Sequence, residues 1–408
     1  MKVIIIGAGI AGLTLGLACQ RAGMEVKIIE KAQELRTIGG GILLWPHGLH
    51  YLQQLGLADC LQTSWMSVRG MNICNHSGQY IYREEHAELY SLLDGEILPI
   101  DRSQLQQLLV AQLAQDTLTL GKACSKVENH ADHVRVFFAD GSEESADLVV
   151  GADGIHSAVR QAVFPHAKPA YSGFCWWGGI AARHYVPHFP VAEVQIVLGQ
   201  SKLCSIWPTH GENFMWYLPV KMPLQDFAVQ GDGRLQAETI CQGWNDDVLR
   251  LIIAPQRAQR FHVPIYELAP ARSAVGRTVL IGDAASAFGP LLGQGANKAI
   301  EDAYVLALLL QHQTGDLPEI LNRYEQLRHA RHQRFFELER MSADAMIHDT
   351  SEALQFFEEQ LPLINLTIMY QDMIPLVNRE ACEKLRVEAL QTDEEQSAAW
   401  QLGVLHSS

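Results

Sequence analysis

The chain alternates between two hydrophobic periods. Val3–Ile6 is a continuous apolar run rich in β-branched residues, as a parallel strand buried on both faces requires. Ile10–Arg21 then reads as a helix, and Glu25–Ile29 as a second strand. Ile42–Trp45 reads as extended, and Pro46 suits the first turn of a helix. Gly70–Asn75 and Gln79–Arg83 read as short strands. Leu105, Leu108, Leu109 and Leu113 make a helical stripe, with Ser103 as the expected N-cap and Arg102 just before it. A hairpin follows, with Val134–Phe138, a turn at Ala139–Ser142 and a return strand Ala146–Val150.

From about residue 165 to 265 the pattern changes to short alternating stretches rich in aromatics, which predict an antiparallel sheet. TVLIGDA, around Val279, is again a buried parallel-type strand. Further on, Asp316 is expected to cap a helix, with Pro318 in its first turn and Glu319 three residues after the cap. Ile320, Tyr324, Leu327, Phe335, Leu338 and Met341 recur there at helical spacing. The order predicts an α/β chain. A Rossmann-like dinucleotide-binding domain (residues 1–70, 101–163 and 270–330) is interrupted by a mostly antiparallel β-sheet substrate domain (71–100 and 164–269). A C-terminal helical region (331–408) is expected to serve as scaffold, with a homodimer interface as the alternative.

Composition narrows the partners. A formal net charge of −15 over 408 residues argues against nucleic acid or an anionic membrane surface, because nothing offsets phosphate repulsion. The eight cysteines contain no CxxC pair, so neither a metal site nor a disulfide framework is expected, and a reducing cytoplasm suits them. The first strand starts at residue 2, which leaves no room for a signal peptide. No run of about eighteen apolar residues predicts a membrane span.

Three separated segments carry the chemistry. Gly7, Gly9 and Gly12 stand in G-x-G-x-x-G spacing between the first strand and helix, where they allow a tight turn, close approach of a pyrophosphate and close helix packing. The helix aims its positive end at that phosphate. Glu30 ends the second strand, where an acid bonds ribose hydroxyls and disfavours a 2′-phosphate. Taken alone, the glycines could be only a tight turn. DLVVGADGIHSAVR (147–160) and VLIGDAASAFGPLLGQGANKAIEDA (from Val279) complete the set, and the combination points to one bound dinucleotide, FAD. Asp153 has a competing reading as a helix cap, and Arg160 reads as a structural ion-pair partner. Gly39, Gly40 and Gly41 suggest close backbone approach to a flat ligand, with a plain surface loop as the alternative.

These segments resemble the single-component FAD-dependent monooxygenases, the family of salicylate, hydroxybenzoate and urate hydroxylases. The resemblance runs from residue 1 to about 330. It implies that Gly7, Gly9 and Gly12 hold the FAD pyrophosphate and Glu30 the adenosine ribose. It also implies that Arg36 and Arg102 reach the cofactor and that Val127 lies near the adenine. Asp153 belongs to a motif linked to FAD and pyridine nucleotide, and Asp283 would contact the ribityl-phosphate portion. Gly293, Gln294, Gly295, Ala296 and Asn297 would lie beside the isoalloxazine, and Gly41 and Pro290 are also expected to bind the cofactor. Family members often carry histidine where this chain has Ser286. The implied reaction uses NADH or NADPH and O2 to hydroxylate a small aromatic or heteroaromatic substrate through a flavin C4a-hydroperoxide.

Such chemistry needs a shielded pocket. Trp45, Trp176, Trp177, Trp207, Met215, Trp216 and Tyr217 are candidate walls, although strand alternation lets only about half of them face one side. Tyr217, Lys202 and His210 are candidates for a base or substrate anchor. Two alternatives stay open at this point. One is an epoxidase or an isoprenoid reductase or cyclase of the same fold, which would need a long apolar tunnel. The other is a flavin-binding regulatory protein without turnover.

Overall fold

The computed structural model describes residues 1–35, 40–62, 66–211, 213–227, 233–253, 260–312, 315–363 and 370–391. Arg36 and Gly39 lie outside the described residues.

The apolar run at the N-terminus forms the strand Lys2–Ile6, in the middle of a six-stranded sheet. It is flanked in parallel by Glu25–Ile29 and by Leu148–Gly151. Thr278–Leu280 adds in parallel beyond Leu148–Gly151, and the edges are Ala274–Val275 and Leu118–Thr119. Val3, Ile4 and Ile5 are fully buried because helices cover one face and a small three-stranded sheet backs the other. Each such side chain contributes about 1.5–3 kcal/mol by leaving water.

The second sheet has seven strands, in the order Arg260–Glu267, Ala170–Ala182, Asn213–Lys221, Lys202–Thr209, Glu193–Gly199, Gly70–Asn75 and Tyr80–Glu85. All neighbours are antiparallel except Glu193–Gly199 against Gly70–Asn75. One face buries Trp177, Trp216, Phe214 and Leu218 against the helices Arg234–Ile240 and Asp246–Ile253. The other face turns toward the nucleotide-type sheet and the C-terminal helices.

Local expectations need several corrections. Asp101, not Ser103, caps the helix Arg102–Ala111: its carboxylate accepts from the Ser103 N–H at 2.7 Å, and Arg102 is the first helical residue. The return strand of the hairpin is Glu143–Ala146, whereas Leu148–Gly151 crosses into the central sheet. Asp147 makes the switch, its carboxylate accepting from Lys2 N at 2.6 Å and its N–H donating to Lys2 O. The 30-residue helix Leu317–Met346 carries the expected capping box of Asp316 and Glu319. Met341 departs from its buried stripe and is exposed.

Candidate active site

At the N-terminal turn, Gly7 adopts φ +108°, which an L side chain rarely allows, and a Cβ on Gly12 would strike the Gly7 carbonyl oxygen. Gly9, by contrast, has open space around its would-be Cβ and lines the central cavity. It is the N-cap of Ile10–Arg21, so the unpaired N–H groups of the helix's first turn face that side. Glu30 pins the turn: one carboxylate oxygen accepts from Ala8 N–H and the other from Ala32 N–H, each at 2.9 Å. Gln106 holds the Ala8 carbonyl at 2.8 Å.

Asp153 accepts from the N–H groups of Ala158 (2.6 Å) and Val159 (3.3 Å), so it does help start the helix Ala158–Val163, which Ser157 caps. Burial raises its pKa, and its second oxygen has no protein partner. Among the described residues Arg160 bonds carbonyl oxygens rather than a carboxylate. It is buried and donates to the carbonyls of Ala167, Ala284 and Ile155, tying this loop to the Gly282–Ala284 turn. Asp283 follows the strand Thr278–Leu280 and lines the cavity. Burial raises its pKa, opposed by the cations Lys298 and Arg102.

The glycine run ends in the helix Gly295–His312, whose N-terminus faces the cavity. Gly41, Arg102, Pro290, Gly293, Gly295 and Ala296 all line it. Asn297 does not, and instead works one layer behind. Its Oδ1 accepts from Trp45 N (3.0 Å), and its Nδ2 donates to Leu43 O (2.8 Å) and Gly293 O (2.9 Å). Gln294 is likewise buried behind the lining, and Val127 belongs to the core between sheets. Ser286 is fully buried under the same turn. Lys298 Nζ donates to its carbonyl (2.8 Å), to its Oγ (3.2 Å) and to Gly282 O (3.0 Å).

Opposite these groups lies the open face of the seven-stranded sheet. Register aligns one row across five strands: Ile73 beside Ile196, Ile196 beside Ser205, Ser205 beside Tyr217, and Tyr217 beside Gly178. Trp45, Trp176 and Trp207 line the cavity with this row. Trp216, like Trp177, points the other way, as strand alternation dictates. Tyr217 donates to Gly41 O at 2.6 Å, and burial raises its pKa. Lys202 and His210 do not reach the cavity. Lys202 Nζ lies 5.8 Å over the Trp244 ring on the far face, and His210 sits in the exposed turn after Lys202–Thr209.

The cavity holds about 830 Å³ and runs from Gly9 to the C-terminal helices. The sequence offered no signal for its far wall, which includes Met346, Phe357, Leu361 and Tyr370. His86, also missed, is buried in the lining, and desolvation pushes its pKa down to about 4. The shape suits a long cofactor with a second molecule beyond it. Two helix N-termini that open on the cavity and a close-packed glycine turn at Gly7–Gly12 fit FAD.

The family model described as FAD binding domain matches residues 1–339. The chain belongs to this family. It is 32% identical over 331 residues to 3-amino-4-hydroxybenzoate 2-monooxygenase of Streptomyces cremeus, covering 80% of this chain and 83% of that one. It is 31% identical over 330 residues to an FAD-dependent urate hydroxylase of Klebsiella pneumoniae, covering 80% and 85%. The crystal structure of Klebsiella pneumoniae HpxO complexed with FAD and uric acid matches with a TM-score of 0.82 at 27% identity, over 94% of this chain and 96% of that one. The chain is therefore an FAD-dependent monooxygenase. Among the described residues, no helix is long and apolar enough to cross a membrane.

Proposed function

We propose that this chain hydroxylates an aromatic or heteroaromatic ring held between the Gly293–Ala296 turn and the Trp176–Tyr217 face. The overall reaction consumes one O2, one NADH or NADPH and one proton. It yields the hydroxylated ring, water and the oxidised nucleotide. The observation that carries this reading is one continuous cavity that joins the glycine turn at Gly9 to the aromatic sheet face. FAD, when bound, supplies the redox chemistry by taking electrons from the nicotinamide and activating dioxygen.

The protein's own groups bind, orient and exclude water. Gly9 and the first turn of Ile10–Arg21 would hold the pyrophosphate, Glu30 the ribose, and Arg102 and Asp283 the linker region. Peptide N–H groups of Gly295 and Ala296 would face the flavin's pyrimidine edge and favour negative charge there. Apolar walls from both sheets keep water from the reacting atoms. The reading includes the division into a discontinuous FAD-binding domain, a substrate domain inserted into it, and C-terminal helices. It also includes a cytoplasmic enzyme without nucleic-acid partners, which the net charge of −15 supports.

The test is anaerobic reduction of the FAD-loaded protein by NADH and by NADPH, with and without a panel of phenols and heteroaromatics. A compound that speeds reduction many-fold, and is hydroxylated once O2 is admitted, is the expected result. Bound FAD that neither nucleotide reduces, with any compound, would remove the monooxygenase reading.

A further inference from the structure

The chamber beyond the flavin-facing turn has a chemistry of its own. Its sheet wall is built from alternate residues of neighbouring strands: Met71 and Ile73, then Ile196 and Leu198, then Leu203. Its opposite wall comes from the C-terminal helices, through Met346, Phe357 and Leu361. Among the described residues lining the whole cavity, the carboxylates and guanidinium groups are those of Asp283 and Arg102. Both sit at the cofactor end, where burial raises the pKa of Asp283 and the cations Lys298 and Arg102 oppose the rise. Beyond them the lining offers hydroxyls such as those of Ser205, Ser342 and Tyr370, indole N–H groups including the unpartnered one of Trp45, and two imidazoles: His156, exposed and edge-on to Tyr266, and His86, kept uncharged at neutral pH by burial.

A carboxylated ring moved into this chamber would lose its hydration, and among the described lining residues the guanidinium of Arg102, at the cofactor end, is the cation on offer. An uncharged ring with one carbonyl or hydroxyl finds donors and acceptors there, and an apolar arm finds a wall on either side. We propose that the substrate is a neutral aromatic compound bearing an extended apolar arm, with its polar group near Trp45 and Ser205 and its arm between Leu203 and Phe357. This rests on the monooxygenase reading of the same site and narrows it.

The experiment titrates the FAD-loaded protein with 4-alkylphenols from methyl to heptyl and with 4-hydroxybenzoate, reading the perturbation of flavin absorbance. Affinity should rise about fourfold per added methylene over the first several carbons, and 4-hydroxybenzoate should bind more weakly than 4-methylphenol. A flat response to chain length, or tighter binding of the acid, would overturn the proposal. The gain per methylene should vanish in Phe357→Asp, or in Met346→Asp if the first variant does not fold. If it persists in a folded variant, the arm binds elsewhere and the proposal fails. Flavin reduction by NADH and NADPH is followed in the same samples. If neither reduces the flavin, the monooxygenase reading falls by itself, while the binding series still decides the class of ligand.

Discussion

Tyr217 is the side chain whose role changes most between sequence and structure. As a phenol in an aromatic strand it was a candidate base, yet its hydroxyl donates to Gly41 O at 2.6 Å and burial raises its pKa. A phenol held protonated and already committed as a donor positions the Gly41–Leu44 strand and does not abstract protons. Tyr217→Phe should leave the shape of the pH–rate profile unchanged. It should cost about 1–3 kcal/mol in urea unfolding, because the Gly41 carbonyl loses its partner. Loss of one limb of the profile would instead make Tyr217 an acid or base. Asn297 is a second positioning residue, since its three hydrogen bonds tie Leu43, Trp45 and Gly293 together behind the cavity wall. Asn297→Ala should destabilise by about 2–4 kcal/mol. Asn297→Asp should be at least as harmful, because a carboxylate would face two carbonyl oxygens. A milder effect of the aspartate in the same denaturation assay would show that the two donated bonds matter little.

The elements were legible to different depths. The Gly7–Gly12 turn could be read because its constraints act on backbone: a positive φ and the lack of room for a Cβ leave glycine as the fitting residue. The apolar pattern predicts one strand over Ala146–Val150, but a single residue, Asp147, passes the chain from a hairpin to the central sheet with no glycine or proline to mark it. Lys202 and His210 had the right chemistry on the wrong face and in the wrong turn, and only register separates such positions from Ser205 and Tyr217. The capping box and apolar stripe predict the long helix Leu317–Met346 but not its task. Glu339 on that helix accepts from the N–H groups of Leu291 (2.7 Å) and Leu292 (2.9 Å), so it clamps the loop that precedes the glycine run. Burial, with Glu267 adding to it, pushes the Glu339 pKa from 4.5 up to about 8. A folded-state pKa raised above the unfolded one stabilises most below pH 4.5, and the gain is lost as pH rises toward 8. Urea unfolding of wild type and Glu339→Gln at about pH 5, 6.5 and 8 should show the wild-type advantage shrinking by a few kcal/mol across that range. An advantage that grows with pH would mean that the fold holds the carboxylate ionised.

At the scale of the whole molecule, three parts of the chain that are remote in sequence enclose one cavity. The nucleotide-type sheet supplies the cofactor end, the seven-stranded sheet supplies the floor, and the C-terminal helices supply the far wall. That third contribution was invisible in the sequence, because Met346, Phe357, Leu361 and Tyr370 follow no motif and acquire a role only through packing. It also changes what the C-terminal region is for. A scaffold could be loosened without touching chemistry, whereas a wall that excludes water cannot. Tyr370 is the sharpest place to separate the two. Its ring packs on Trp45 with centroids 5.9 Å apart, and burial raises its pKa to about 12, so it is a neutral lining group remote from any proton-transfer role. Tyr370→Ala should open the far end of the chamber to water while leaving the Gly7–Gly12 and Gly282–Asp283 segments untouched. FAD content and the rate of flavin reduction should then stay near wild type. The fraction of consumed NADH or NADPH that ends in hydroxylated product should fall several-fold, with hydrogen peroxide making up the difference. Equal coupling in wild type and variant, measured as product and peroxide per nucleotide oxidised, would return the C-terminal helices to a purely structural role.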